Sequence, residues 1–176
     1  MKSALVVVVT ITAGILLSGC SLVQRAMPGS TMPNAEILGL LNTINRSEIE
    51  AGKLAKQTAS TQEVRSFASR MVSEHQMMMQ NINQLAQRLS VQPQKPALAS
   101  TLENTHQETM EELRTKSGSD FDKAYIAYQV QMHEQAVDLV NDAADSVDSP
   151  NLKLHLREAR PDLQNHLAAA QSIDRE

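Results

Sequence analysis

Four side chains in this sequence have types and spacings suited to holding a metal ion: Glu48, His75, His133 and His166. One carboxylate and three imidazoles form a donor set that suits a single Zn, Cu or Fe ion. Glu48, His75 and His166 each stand near the middle of an otherwise apolar stripe, read in alternating steps of four and three residues. His133 lies on a seam from Asp122 that adjoins the apolar face Phe121, Tyr125, Tyr128, Met132. The first stripe runs Ile37, Leu41, Ile44, Glu48, Ala51, Ala55, and the second Val64, Ala68, Met71, His75, Met78, Ile82. The others run Ile126, Gln129, His133, Ala136, Val140 and Leu156, Ala159, Leu163, His166, Ala170. A lone histidine on such a stripe is ordinarily a hydrogen-bonded core residue, because an unpaired ionisable group is costly to bury. Four intrusions at matching depth argue for a shared site. Glu48 and His75 lie roughly 17–22 Å along their helices from the intervening turn near residue 60. His133 and His166 lie roughly 22–24 Å from the turn near residue 149, so one layer can contain all four.

The elements that would carry these residues are helical from residue 34 onward. Asn34 is placed to cap a helix running to about Ala59. Ser60-Thr61-Gln62-Glu63 has capping-box spacing and predicts a second helix ending near Ser90. Val91 to Pro96 is a break, and a weaker third helix fits about 97–116. A fourth spans Phe121 to about Asp145, and Asp148-Ser149-Pro150 opens a fifth over about 150–174. No useful β-alternation occurs. The expected class is all-α, an antiparallel four-helix bundle with an additional shorter helix or broken crossover segment. Short turns after the first and fourth helices leave both an up-down order and a crossover order open.

Several neighbours bear on the candidate site. Asp162, four residues before His166, is placed to orient its imidazole. Asp122 is a second candidate for that supporting role, and Pro161 is expected to kink the last helix. The Glu103-x-x-His106 pair reads as a chance match on an exposed face. Tyr125 and Tyr128 read as core. Met77, Met78 and Met79 point in different directions on a helix and make a poor metal box. His155 flanks the last stripe without an evident role.

Composition narrows the function classes. With 16 Lys+Arg against 20 Asp+Glu, a net charge of -4 and no Trp, the chain lacks the basic footprint and stacking platforms of a nucleic-acid binder. Six Gly in 176 residues and one Cys argue against dinucleotide loops, a disulfide framework and a cysteine zinc finger. That cysteine closes the N-terminal segment. Lys2 precedes an apolar run from Ala4 to Leu17, of signal-peptide rather than membrane-spanning length. Leu17-Ser18-Gly19-Cys20 resembles the lipobox of bacterial lipoproteins. The resemblance implies cleavage before Cys20, lipid attachment there through a thioether, and acylation of the new amino terminus, which together anchor a protein stably. In the sorting rule of such lipoproteins Asp after the cysteine retains the protein at the inner membrane. Ser21 therefore implies the outer membrane, facing the periplasm. The expected organisation is a signal peptide over 1–19, a lipidated Cys20 with a tether over 20–33, and the bundle over 34–176.

The helical segments resemble a ferritin-like domain-of-unknown-function family of bacterial exported and outer-membrane proteins. The resemblance rests on Glu48-Ile-Glu-Ala-Gly52-Lys-Leu-Ala55 and Phe67-Ala-Ser-Arg-Met71-Val-Ser-Glu-His75. It continues through Gly118-Ser-Asp-Phe121-Asp122-Lys-Ala-Tyr125, His133 and Pro161-Asp-Leu163-Gln-Asn-His166-Leu167. It implies a ferritin-like bundle, with the crossover order through residues 97–116 preferred on that ground alone, and places the family's recurrent Glu, His, His and His on Glu48, His75, His133 and His166. A di-iron carboxylate site needs Glu-x-x-His on two helices, and Val72 and Leu163 stand where those glutamates belong. Two expectations follow. One is a membrane-anchored bundle holding a single metal ion. The other is a structural, interaction or envelope-stress lipoprotein whose core histidines bind no metal and at most sense pH. No nucleophile–base pair or phosphate loop stands out, which leans away from an enzyme. Beyond the membrane anchor, a protein partner stays open.

Overall fold

The computed structural model describes residues 32–175. The signal peptide, Cys20 and nearly all of the tether lie outside the described residues. Five helices follow: α1 (Asn34–Thr58), α2 (Gln62–Leu89), α3 (Ala97–Arg114), α4 (Gly118–Ser146) and α5 (Pro150–Asp174). No described helix is long and apolar enough to cross a membrane.

The helix starts differ in detail from the sequence expectation. Pro33, not Asn34, occupies the cap position of α1, and its carbonyl takes the Glu36 and Ile37 N–H groups. Thr61, not Ser60, caps α2, its hydroxyl accepting from the Val64 N–H at 3.3 Å. Ser60 is otherwise engaged. Its N–H and hydroxyl both donate to the Asp122 carboxylate at 2.8 Å, and the Thr61 N–H adds a third bond at 2.9 Å. α3 stops at Arg114, and α4 begins at Gly118, before the expected Phe121. Ser149 caps α5, with Pro150 in the first turn as expected. α5 continues through Pro161, whose ring nitrogen has no hydrogen to offer the Arg157 carbonyl.

Asp122 also decides the topology. It places the start of α4 at the turn between α1 and α2, so α2 and α4 run in the same direction. α1 and α2 form one hairpin and α4 and α5 the other, while α1 packs on α4 and α2 on α5. α3 returns along the outside, against α1 and α4. The order is up, down, crossover, down, up, and the short third helix is the crossover.

The apolar core comes in two main blocks. One contains Ala51, Ala55, Phe67, Met71, Phe121 and Tyr125, and the other Ile37, Leu38, Ile82, Val140, Leu156 and Leu163. On every core helix the break between the blocks falls at the same level. Glu48, His75, Gln129, His133 and His166 fill that break, all buried.

Candidate metal centre

The site is assembled from three helices. His75 on α2, His133 on α4 and His166 on α5 are each no more than 1% exposed. One ring nitrogen from each lies within 4.8 Å of one in each of the others. Ring centroids are 5.1 Å apart for His133 and His166, 5.3 Å for His75 and His166, and 5.6 Å for His75 and His133. The tightest approach is His133 Nε2 to His166 Nδ1, 3.2 Å.

The far side of each ring is held by an acceptor. His133 Nδ1 lies 2.9 Å from the Gln129 carbonyl, one turn back on α4. His166 Nε2 meets the Glu74 carboxylate of α2. His75 Nδ1 lies 2.8 Å from Asn45 Oδ1 on α1, and Asn45 is oriented by its amide donating to the Leu41 carbonyl at 2.8 Å. Carbonyls and carboxylates only accept, so each of these ring nitrogens carries the hydrogen. In the neutral rings the lone pairs then sit on His75 Nε2, His133 Nε2 and His166 Nδ1. His75 Nε2 has no hydrogen-bond partner.

Two lone pairs facing each other at 3.2 Å repel unless something electropositive lies between them. A proton is poorly placed to serve at neutral pH. Burial pushes the His133 ring down to about 4, against the Gln129 carbonyl and with His166 and Arg70 adding to the fall. Burial and the two neighbouring rings hold His75 well below the usual range. Burial also lowers His166, although Glu74 pulls it upward. A metal ion has no such difficulty. Two nitrogens on a tetrahedral ion at usual bond lengths stand about 3.3 Å apart, close to the 3.2 Å observed. Imidazoles oriented by hydrogen bonds from their outer nitrogens are the usual arrangement around bound transition metals.

Residues 21–173 match the family model described as a domain of unknown function, DUF4142. The chain belongs to this family. No curated protein and no solved structure matches it. All three histidines of the cluster lie within the DUF4142 domain.

The remaining sequence-selected residues of the DUF4142 domain fall elsewhere. Glu48 is buried in the same layer but is not among the converging atoms. Its Oε2 accepts from the Gln129 side-chain amide at 2.7 Å, and its Oε1 has no partner. Burial pushes the Glu48 carboxyl up to about 7, with the Gln129 amide pulling the other way. Gln129 therefore ties Glu48 to His133, through its side chain and its carbonyl respectively. Asp162 is exposed and does not bond His166. The His166 ring points across to α2, where Glu74 takes the role expected of Asp162. Asp122 sits at the α1–α2 turn, remote from the cluster in chain order on every helix. Burial pushes its carboxyl up, but the bonds from Ser60 and Thr61 outweigh this and hold it below the usual range.

Three supporting groups escaped the sequence reading: Asn45, Glu74 and the Gln129 side chain. Glu74 immediately precedes His75, and Gln129 shares the stripe of His133 one turn away, so the second was visible as a polar intrusion. His106 corrects another expectation, since it is 3% exposed rather than on the surface. Glu103 contributes nothing to it by hydrogen bond and pairs with Lys95 instead. Tyr125 is core, as expected, with an unpartnered hydroxyl. Met77 is exposed while Met78 and Met79 are half-buried, so the run does not converge.

Two openings approach the cluster. A cavity of about 180 Å³, walled by Ile44, Ile82, Val140, Leu156 and Leu163, reaches His75 and Asn45 and also touches His155. A surface basin lined by Arg70, Glu74, Met77 and Asp162 reaches His166.

Proposed function

We propose that this DUF4142 protein is a periplasm-facing lipoprotein of the outer membrane, and that its ferritin-like bundle holds one transition-metal ion on His75, His133 and His166. The observation that carries the metal reading is the convergence of three buried imidazoles whose outer nitrogens are all committed to acceptors. Nitrogen donors in this number suit Zn, Cu or Fe. Glu48, linked to His133 through Gln129, is the buried carboxylate that would complete the shell if its side chain moved. The membrane anchor rests on Leu17-Ser18-Gly19-Cys20, and the outer-membrane destination on Ser21.

Metal analysis of the protein purified from residue 21 onward tests the site. A stoichiometric ion that His75→Ala abolishes, with the helical content kept, is the expected result. Failure to retain Zn, Cu or Fe after loading with each would return the histidines to the role of hydrogen-bonded core residues.

A further inference from the structure

Away from the three-histidine cluster, α3 contributes a buried histidine with both ring nitrogens engaged. His106 Nδ1 lies 2.9 Å from the Tyr128 hydroxyl oxygen on α4, and Nε2 lies 3.4 Å from Glu50 Oε2 on α1. The other Glu50 oxygen pairs with Arg114 at 3.2 Å, and the Glu50 side chain is 43% exposed. A carboxylate only accepts, so Nε2 carries the ring hydrogen and Nδ1 presents its lone pair to the tyrosine hydroxyl. Burial holds His106 below its usual range, with Glu50 pulling upward, so the ring is neutral and free to accept. Simple ionisation of Tyr128 is disfavoured, because burial and then Glu48 push its hydroxyl well above the usual range.

The chain has two tyrosines and no tryptophan, so few side chains can lose an electron readily. Tyr125 is fully buried and its hydroxyl has no partner. Removing an electron from a phenol makes its O–H strongly acidic. In a core, that proton can leave only if a base stands within hydrogen-bond reach, since a bare buried cation is costly. Tyr128 has such a base and Tyr125 does not.

We propose that Tyr128 is a redox-active tyrosine that gives one electron to a one-electron oxidant while its proton passes to His106. The oxidant, a small radical or an oxidised transition-metal ion, gains one electron. The Tyr128 O–H bond breaks and leaves a neutral phenoxyl radical. The proton forms the Nδ1–H bond of His106, and Glu50 stabilises the imidazolium or takes its Nε2 proton toward solvent. Return of an electron and of the proton restores the phenol. Tyr128 stands five residues before His133 on α4, about 7–8 Å along the axis, so an oxidising event in the histidine layer would have a phenol close by. The proposal does not depend on a metal being bound there.

The test uses the full-length protein in detergent, stripped of metal, with azide radical generated by pulse radiolysis and phenoxyl followed by absorbance and electron paramagnetic resonance. Tyr125→Phe should keep the parental phenoxyl yield, and Tyr128→Phe should lower it about tenfold or more. Tyr128 is 8% exposed against 0% for Tyr125, so access alone would favour it. His106→Gln separates the two causes, because glutamine keeps a polar contact but is no base. Phenoxyl formation near neutral pH should slow about tenfold or more in that variant. Glu50→Gln, on the half-open rim, provides a second variant should His106→Gln lose its helical circular dichroism, and it should slow the reaction to a lesser degree. A phenoxyl yield retained in Tyr128→Phe, or an unchanged rate in whichever of the His106 and Glu50 variants folds, would overturn the proposal.

Discussion

His133 Nε2 and His166 Nδ1 owe their mutual direction to what holds the far side of each ring. Glu74 is the partner most open to test, because it comes from a different helix than the histidine it holds. Glu74→Ala should weaken metal binding by about 10–100-fold in a chelator competition titration, whereas Asp162→Ala should leave it unchanged. Glu48 supports a prediction about pH in the metal-free protein. Its carboxyl is raised from 4.5 to about 7 by burial, so the folded state binds a proton more tightly than the unfolded one. The cost is complete above about pH 7, shrinks as pH falls, and vanishes near 4.5. Glu48→Gln keeps the shape and the bond from Gln129 without the charge. It should raise the unfolding free energy near pH 8 by on the order of 3 kcal/mol and have little effect near pH 4.5, measured by denaturant titration at both pH values. Residue types and stripe positions made His75, His133 and His166 legible in the sequence. Their partners were harder to read, because Asn45 and Glu74 lie beside the apolar stripes and a side chain's reach across helices is not a periodic property.

Helix boundaries were legible to within a few residues, and the misses have local causes. Asn34 yields the cap position to Pro33, whose fixed backbone angle enters α1 directly. Ser60 yields to Thr61 because Asp122, distant in sequence, takes both Ser60 donors. The break over residues 91–96 shows a close approach that composition could not reveal. It lies against the first turns of α1, where the Gln94 N–H bonds the Ala35 carbonyl at 2.8 Å. A Cβ at position 39 would stand 1.9 Å from the Gln94 carbonyl oxygen, so Gly39 is required by contact. Gly39→Ala should cost about 1–3 kcal/mol in denaturant unfolding through overpacking, despite alanine's better helix propensity. Had α1 been an isolated helix, the same substitution would have stabilised it by about 1 kcal/mol, so the sign of the effect reports the contact.

At the scale of the whole molecule, the N-terminal address proposed above sets a prediction separate from those of the bundle. Cys20→Ser should remove the lipid and move the protein from the membrane fraction to the soluble fraction, with its helical circular dichroism unchanged. Fractionation with antibody detection measures it, and persistence in the membrane would contradict the proposed anchor. The sequence by itself determined the all-helical class, because the apolar positions repeat at helical period from residue 34 onward and the breaks carry Pro, Gly and Ser. It also singled out Glu48, His75, His133 and His166 as ionisable residues on inward stripes, though it left the buried His106 on the surface. Tertiary structure alone decided the order of the helices, through the Asp122 bonds to the α1–α2 turn and the return of α3 along the outside. It also decided that three histidines converge while the Glu48 carboxyl is held by Gln129, and that His106 is buried beneath the crossover. Periodicity tells which face of a helix is hidden. Which neighbour it is hidden against, and at what height, depends on long-range packing that no single segment encodes.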